Sequence, residues 1–326
     1  MAGALVGLVV VVLSIPLGAA GAKEHRGDHD PSPSPVPPSV SPSVSPSVSP
    51  SVSPSVSPSG APLVIVFMEN KSPNSITAST APYLAGLGSQ GLHFTNYGDI
   101  SHPSLPNYLA FASGSMQGKA GTDLVQAGEI TGPNLWDQLT SAGVSWAVYQ
   151  ELMPTACFAG LSNMTTTGPK DKYAIRHDPA IVFNSVLNSA ECQNVLPLTN
   201  MVPSQLPDVS FVTPSICNDM HGVRDSSFPA DCQGGTDALV TRGDTWLGGH
   251  VPAWLAAGAT VIITFDEGSK VGAFSDLVDT VEVGNSIPPA VDATSYNHYS
   301  LLAGIEDRYA LGRLGNAAAA APLPIG

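Results

Sequence analysis

Two runs of apolar residues constrain the fold of this chain more than any other feature. Residues 61–68 read APLVIVFM and residues 259–265 read ATVIITF, and neither run alternates between polar and apolar side chains. Such runs are typical of strands buried on both faces of a parallel sheet. Segments of helical and strand character alternate around them, so the sequence predicts an α/β fold with a mainly parallel central sheet. Predicted strands span residues 61–68, 92–97, 144–149, 208–212 and 259–265, and predicted helices span 81–87, 104–112, 134–141, 179–187, 245–256 and 298–311.

The composition divides the chain into four segments. Residues 1–22 form a short apolar run that ends in small residues, which is the pattern of a secretory signal peptide. Residues 23–60 are rich in Pro, Ser and Val, with the tetrad Ser-Val-Ser-Pro repeated, and are predicted to be a disordered spacer. Residues 61–316 have the composition of one globular domain, and residues 317–326 are predicted to be a flexible Ala/Pro tail. We therefore expect a secreted or cell-surface protein with no transmembrane anchor in the mature domain.

The charge of the chain argues against one class of partner. The formal net charge is −14, with only 12 Lys and Arg residues. Because an acidic surface repels the phosphate backbone, binding to nucleic acid is not expected.

The cysteines predict disulfide bonds. An even number of cysteines in an exported chain favours two bridges, for which three connectivities exist. We favour Cys157–Cys192 and Cys217–Cys232 because both loops are short and local. No CxxC spacing occurs, so a thiolate zinc site is not expected.

The two apolar runs end in the same way. The first leads directly into Glu69 and Asn70, and the second leads into Asp266 and Glu267. Ligands of open parallel sheets bind at the carboxyl ends of strands, where clustered carboxylates favour a divalent cation. Oxygen ligands favour Mg²⁺, Ca²⁺ or Mn²⁺ over Zn²⁺. The alternative is that these residues are ordinary polar caps at strand ends.

Ser104 and several histidines lie where sites commonly form. Ser104 begins a predicted helix, whose N–H groups suit a phosphate, and a nearby cation would activate its hydroxyl as a nucleophile. The alternative is a helix-capping serine. His102, His221 and His298 follow strands or precede helices, whereas His177 is a weaker candidate as a phosphate neighbour.

Several stretches together resemble the bacterial phosphoesterase family that includes secreted acid phosphatases and phospholipases C. Within it, the sequence looks most like secreted acid phosphatases that act on phosphoinositides. The matching stretches are residues 64–72 (VIVFMENKS), 101–115 (SHPSLPNYLAFASGS), 173–183 (YAIRHDPAIVF), 206–222 (LPDVSFVTPSICNDMHG), 243–247 (GDTWL), 261–268 (VIITFDEG) and 298–315 (HYSLLAGIEDRYALGRLG).

The resemblance implies an alkaline-phosphatase-like three-layer fold and a role for each candidate residue. Ser104 would be the nucleophile that carries phosphate transiently. The implied metal ligands are Glu69, Asn70, Asp266 and Glu267. The residues implied to surround the phosphate, protonate the leaving group or position it are His102, His221, His298, Asn107, Asp219 and His177.

The expected function is a metal-dependent phosphoester hydrolase, most simply a phosphomonoesterase of acid phosphatase type whose substrates include phosphoinositides. We expect a monomer that acts on a small phosphate ester or a phospholipid head group. One alternative is a phosphodiesterase of phospholipase C type. Residues 271–296 depart from the family pattern and predict an altered substrate rim. A catalytically impaired cell-surface binding module, to which residues 26–28 (RGD) would contribute, therefore stays open.

Overall fold

The computed structural model describes residues 60–269 and 276–326 of the 326-residue chain. The predicted signal peptide and residues 23–59 of the predicted spacer lie outside the described residues. Within the described part of the chain, no helix is both long and apolar enough to cross a membrane.

Strands and helices alternate along the described residues. The strands are β1 (Leu63–Met68), β2 (Leu92–Phe94), β3 (Tyr97–Gly98), β4 (Trp146–Gln150), β5 (Ser162–Met164), β6 (Lys172–Ala174), β7 (Val195–Pro197), β8 (Val209–Thr213), β9 (Thr260–Phe265), β10 (Thr280–Val283), β11 (Ala290–Asp292) and β12 (Tyr296–Asn297). The helices are α1 (Pro82–Gly88), α2 (Leu105–Ser113), α3 (Leu135–Ser141), α4 (Asn184–Leu187), α5 (Asp237–Ala256) and α6 (His298–Arg308).

An eight-stranded sheet forms the centre of the domain, in the order β11-β2-β10-β9-β1-β8-β4-β7. Strands β9, β1, β8, β4 and β7 run parallel to one another, whereas β10 is antiparallel to both of its neighbours. The α/β class with a mainly parallel sheet is therefore confirmed.

The two apolar runs become the adjacent central strands β1 and β9. Every residue of both strands is buried. They pair in parallel register from Leu63 opposite Thr260 to Met68 opposite Phe265. Because strands buried on both faces have no polar side to present, their sequences lack alternation.

Some elements differ from the sequence prediction. The helix predicted at 179–187 is reduced to α4, because Asp178 Oδ1 accepts hydrogen bonds from the amides of Ala180 and Ile181 at 3.0 Å each and holds a turn there. The strand predicted at 92–97 is divided into β2 and β3. Helix α5 begins at Asp237, well before the predicted residue 245. Thr236 Oγ1 caps this helix by accepting a hydrogen bond from the amide of Leu239 at 3.2 Å.

The last ten residues pack against the domain, contrary to the flexible tail predicted at 317–326. Leu323 is buried, and its amide donates a hydrogen bond to Ser300 O at 2.8 Å. The amide of Gly326 donates to Glu282 Oε1 at 2.9 Å. Apolar contact and backbone hydrogen bonding therefore hold a segment whose small residues suggested mobility.

Both predicted disulfides are confirmed. Cys157 is bonded to Cys192 and Cys217 to Cys232, with Cα separations of 5.1 and 4.8 Å. The second bridge closes a loop that leads from the end of β8 towards α5.

Candidate active site

The ends of β1 and β9 bring Glu69 and Asp266 together. Both residues directly follow the paired residues Met68 and Phe265, so the parallel register places them side by side. The amide of Asn70 donates a hydrogen bond to Asp266 Oδ1 at 2.9 Å. Asn70 has a backbone φ of 56°, a left-handed conformation that asparagine adopts more readily than most residues. The turn after β1 therefore links the two strand ends directly.

Ser104 lies against this carboxylate pair. Its hydroxyl donates a hydrogen bond to Glu69 Oε2 at 2.9 Å, and Asn70 Nδ2 lies 3.5 Å from the same hydroxyl oxygen. The Ser104 side chain makes no capping hydrogen bond to helix α2, and Asp123 Oδ1 instead accepts one from the amide of Leu105 at 3.0 Å. The capping interpretation of Ser104 therefore does not hold.

His177 connects two buried carboxylates. Its Nε2 lies 3.0 Å from Glu69 Oε1, and its Nδ1 lies 3.2 Å from Asp219 Oδ2. The hydroxyl of Tyr108 donates a hydrogen bond to the same Glu69 Oε1 at 2.8 Å. His177 is almost fully buried, so it lies behind Glu69 and not among the residues that line the cavity described below.

Three buried carboxylates make this region electrostatically unfavourable without a cation. Burial, together with the neighbouring Asp266 and Asp219, raises the pKa of Glu69 well above its usual range. Burial also raises the pKa of Asp219 well above its usual range and that of Asp266 to about 6. A divalent cation would favour the ionised forms.

His221 orients an arginine. Its Nδ1 lies 2.6 Å from Gly222 O, and its Nε2 lies 3.2 Å from Arg176 Nη2. Because a carbonyl only accepts and a guanidinium only donates, the hydrogen belongs on Nδ1 and the ring is neutral. Burial and the nearby Arg176 lower the pKa of His221 to about 4. This geometry does not fit the predicted role of His221 as a general acid.

His102 and Glu267 form a second group beside the carboxylate pair. His102 Nδ1 lies 2.8 Å from Glu267 Oε2, and its Nε2 lies 3.6 Å from Asp99 Oδ2 and 3.9 Å from Asp276 Oδ1. The carboxylate of Glu267 thus contacts a histidine, whereas the sequence predicts it as a ligand alongside Asp266.

His298 and Asn107 lie behind the reactive groups. Each ring nitrogen of His298 has a partner, with Nε2 2.6 Å from Asp266 O and Nδ1 3.1 Å from the Tyr97 hydroxyl. Burial lowers the pKa of His298 to about 4. The side chain of Asn107 is buried and bonded to the backbone of residues 100–103. Neither residue lines the cavity, and their roles at the phosphate stay predictions.

A cavity of about 610 Å³ opens over Ser104. The strand ends contribute Asn70, Lys71 and Glu267 to its wall. The loop closed by the second disulfide contributes a further part of the wall, including the exposed Arg224. A small phosphate ester fits a cavity of this size.

A family comparison classifies the chain. The model of the phosphoesterase family matches residues 66–312, which include both strand ends and Ser104. The chain belongs to the phosphoesterase family.

Two relatives of this chain carry phosphatase names. A phosphatidylinositol-3-phosphatase of Mycobacterium tuberculosis is 31% identical over 274 residues, which cover 81% of each chain. A probable acid phosphatase of Kluyveromyces lactis is 30% identical over 265 residues, or 77% of this chain and 58% of the yeast protein. The chain therefore spans little more than half the length of the yeast relative.

The fold of this phosphoesterase matches that of a solved structure. A protein of the alkaline phosphatase superfamily from Vibrio parahaemolyticus aligns with a TM-score of 0.51 and 12% identity, over 83% of this chain and 72% of that one. The alkaline-phosphatase-like fold implied by the sequence resemblance is confirmed.

The phosphoesterase site also suits a metal ion. Asp266 Oδ2 is buried and has no hydrogen bond among the described residues, as expected of an atom that faces a cation. Possible ligand atoms of Glu69, His177 and His221 lie within 4.8 Å of one another. The donors beside Ser104 are mainly oxygens, and Glu69, Asn70 and Asp266 are the residues that would hold the ion.

Sequence reasoning missed three residues of this phosphoesterase site: Lys71, Tyr108 and Arg176. Tyr108 lies four residues after Ser104, a spacing that places two helical side chains on one face and provided a usable signal. Lys71 Nζ donates a hydrogen bond to Met220 O at 2.6 Å, and burial lowers the pKa of Lys71. Nothing in the local sequence indicates that contact, because its partner is distant along the chain.

Proposed function

We propose that this phosphoesterase is a metal-dependent phosphomonoesterase with Ser104 as its nucleophile. The observation that carries the proposal is the 2.9 Å hydrogen bond from Ser104 Oγ to Glu69 Oε2, beside Asp266 and at the floor of an open cavity. The phosphatase names of two relatives support the same reaction class.

Ser104 and Glu69 have different roles in the proposed reaction. Ser104 Oγ attacks phosphorus, so that a bond from oxygen to phosphorus forms and the bond to the leaving alcohol breaks. Glu69 Oε2 accepts the hydrogen bond from the hydroxyl that must lose its proton. Water then hydrolyses the phosphoserine. A bound cation would stabilise the negative charge on the transferred group in both steps.

Positive side chains beside the carboxylates favour a monoester over a diester. Lys71 lines the cavity, and Arg176 Nη2 lies 3.2 Å from Nε2 of the cavity-lining His221. A monoester carries more negative charge than a diester and therefore needs more such groups. His102 is the best candidate for the proton donor to the leaving alcohol, because it is partly exposed and contacts Glu267, which lines the cavity.

Phosphoinositides are the substrates we propose to test first. One relative is named for such a lipid, and Arg224 on the cavity wall would attract an additional anionic group of a head group. The competing diesterase function predicts faster turnover of bis(p-nitrophenyl) phosphate and intact phospholipids than of p-nitrophenyl phosphate. The binding-module alternative predicts no phosphate release from any of these compounds.

Replacement of Ser104 by Ala tests the proposal. We expect phosphate release from p-nitrophenyl phosphate to fall by a factor on the order of 10³ or more, with an unchanged melting temperature. Ser101→Ala is the matched control, since that hydroxyl lies on the same loop and donates a hydrogen bond to a backbone atom, His102 O, at 3.3 Å. Wild-type turnover by the Ser104→Ala protein would remove Ser104 from the reaction.

Metal dependence and export have tests of their own. Treatment with a chelator is expected to abolish turnover, and Mg²⁺ or Mn²⁺ to restore it.

We also propose that the protein acts outside the cytoplasm, because it has two disulfides and a predicted signal peptide. N-terminal sequencing of protein from the culture medium would detect cleavage after residue 22, and an uncleaved cytoplasmic product would contradict export.

A further inference from the structure

Helix α2 begins directly after Ser104, and its first backbone amide already has an anionic partner. The amide of Leu105 donates a hydrogen bond to Asp123 Oδ1 at 3.0 Å. Pro106 has no backbone N–H, and the amide of Asn107 donates to Ser104 O at 2.9 Å. Leu105 therefore supplies the amide of this first turn that can serve an anion beside Ser104.

The carboxylate of Asp123 has the partners that suit a phosphoryl group. Asp123 lines the same cavity as Ser104. Its second oxygen, Oδ2, lies 3.6 Å from Arg176 Nε. A helix N-terminus and an arginine are two groups with which proteins commonly hold phosphate. A carboxylate of the chain thus takes, next to the proposed nucleophile, the contacts that a bound phosphate would use.

Asp123 is held less firmly than the carboxylates at the strand ends. Its side chain is 34% exposed, whereas Glu69 and Asp266 are fully buried. It belongs to the connection from α2 to α3, residues 114–134, whose described backbone forms no helix or strand. Rotation of this side chain into the cavity would free the Leu105 amide and leave the central sheet unchanged.

Two anions cannot share these donors. A phosphate and the carboxylate of Asp123 both carry negative charge, and juxtaposed like charges repel strongly. Phosphate that binds beside Ser104 must therefore displace Asp123, and the free energy of that displacement weakens phosphate binding.

We propose that Asp123 is an internal competitor for the phosphate position beside Ser104, which limits inhibition of the enzyme by its product, inorganic phosphate. The inference rests on the proposed function and extends it to the regulation of the same site. It assigns to Asp123 a role beyond that of capping α2.

Phosphate binding can be measured without turnover. Isothermal titration of the full-length protein with inorganic phosphate, in the presence of Mg²⁺, gives a dissociation constant. The test variant is Asp123→Asn, which removes the charge and keeps an oxygen that can accept the hydrogen bond of the Leu105 amide. The control is Asp237→Asn, because Asp237 is exposed, lines the same cavity and lies at the start of α5.

Asp123→Asn should bind phosphate about tenfold more tightly than the wild type, because a neutral amide does not repel the incoming anion. In Asp237→Asn, the dissociation constant should stay within about twofold of the wild-type value, since a charge at the exposed rim is screened by solvent. In the wild type, saturation with phosphate should also speed hydrogen exchange of the amides of residues 122–125, because their loop loses its contact with α2.

Unchanged or weaker phosphate binding by Asp123→Asn would overturn the inference and leave Asp123 as a cap of α2. Equal tightening in both variants would also overturn it, because the cause would then be the net charge of the cavity. Absence of phosphate binding by all three proteins, or slower exchange of residues 122–125 with phosphate, would count against it in the same way. Wild-type turnover by Ser104→Ala would remove the proposed nucleophile and leave these binding constants unaffected, so the two failures can be told apart.

Discussion

Asn107 provides the sharpest test of whether a residue contacts the substrate or instead holds the loop that leads to Ser104. Its Oδ1 accepts hydrogen bonds from the amides of Ile100 and Ser101 at 2.9 and 3.1 Å. Its Nδ2 donates to Ser101 O at 2.7 Å. The side chain is fully buried, so the perturbation Asn107→Ala removes these contacts and gives the loop no replacement.

The expected loss of stability follows from the contacts. Each neutral hydrogen bond contributes about 1 kcal/mol, so three lost bonds amount to about 3 kcal/mol. For a domain of this size, that loss corresponds to a fall in melting temperature of roughly 6–12 °C. The same loop carries His102 and leads to Ser104, so turnover should fall by about 10–100-fold through misplacement of these groups.

Thermal unfolding and p-nitrophenyl phosphate turnover should therefore change together in Asn107→Ala. The control is Asn74→Ala, because Asn74 is exposed and lines the same cavity; its melting temperature should match the wild type. If Asn107→Ala kept the wild-type melting temperature and lost as much activity as Ser104→Ala, Asn107 would act on the substrate and the positioning argument would be wrong.

Three further predictions concern stability. Asp244 caps α1 by accepting two backbone hydrogen bonds at 3.0 and 2.8 Å, so Asp244→Ala should lower the free energy of unfolding by about 2–3 kcal/mol in urea titrations, and an unchanged midpoint would refute the cap. Burial raises the pKa of Glu306 from about 4.5, its value in the unfolded chain, to about 7 in the folded protein. The contribution of Glu306 to the free energy of unfolding therefore declines as the pH rises from about 4.5 to about 7. Above pH 7, the free energy of unfolding of Glu306→Gln in urea titrations should therefore exceed that of the wild type by about 1–2 kcal/mol once solvent screening is allowed for. This difference should disappear near pH 4.5, and a difference that does not depend on pH would count against the argument. Replacement of both Cys217 and Cys232 by Ser should lower the free energy of unfolding by about 3 kcal/mol and should raise KM, because a wall of the cavity is loosened. An unchanged free energy of unfolding together with an unchanged KM would show that the bridge stabilises neither the fold nor the cavity.

The central sheet, and the proximity of the carboxyl ends of β1 and β9, could be predicted from the sequence for a physical reason. Continuous apolar strands have few possible positions, and polar residues directly after them must emerge at one edge of a parallel sheet. Glu69, Asp266 and Ser104 were therefore predictable as neighbours. The disulfide pairs were predictable because short loops favour local pairing.

The individual roles of the histidines were not predictable, because each depends on partners distant along the chain. His221 faces Arg176 and His298 faces Tyr97, and no local pattern encodes either contact. The turn that replaced the predicted helix at 179–187 depends on one carboxylate, that of Asp178, hydrogen bonding to nearby amides. The packed C-terminal residues were missed because Ala and Pro suggest mobility unless an apolar contact such as that of Leu323 is known.

The direction of β10 bears on how this scaffold can change over evolution. Strand β9 ends at the site and β10 lies antiparallel beside it, so the chain leaves the sheet after Phe265 and enters it again at Thr280 at the same edge. The connection opens with Asp266 and Glu267 of the site, and Val278 and Asp279 just before β10 are buried. Sequence changes that alter access for new esters must therefore lie between these two fixed ends, where they leave the site carboxylates and the pairing of the central strands unchanged.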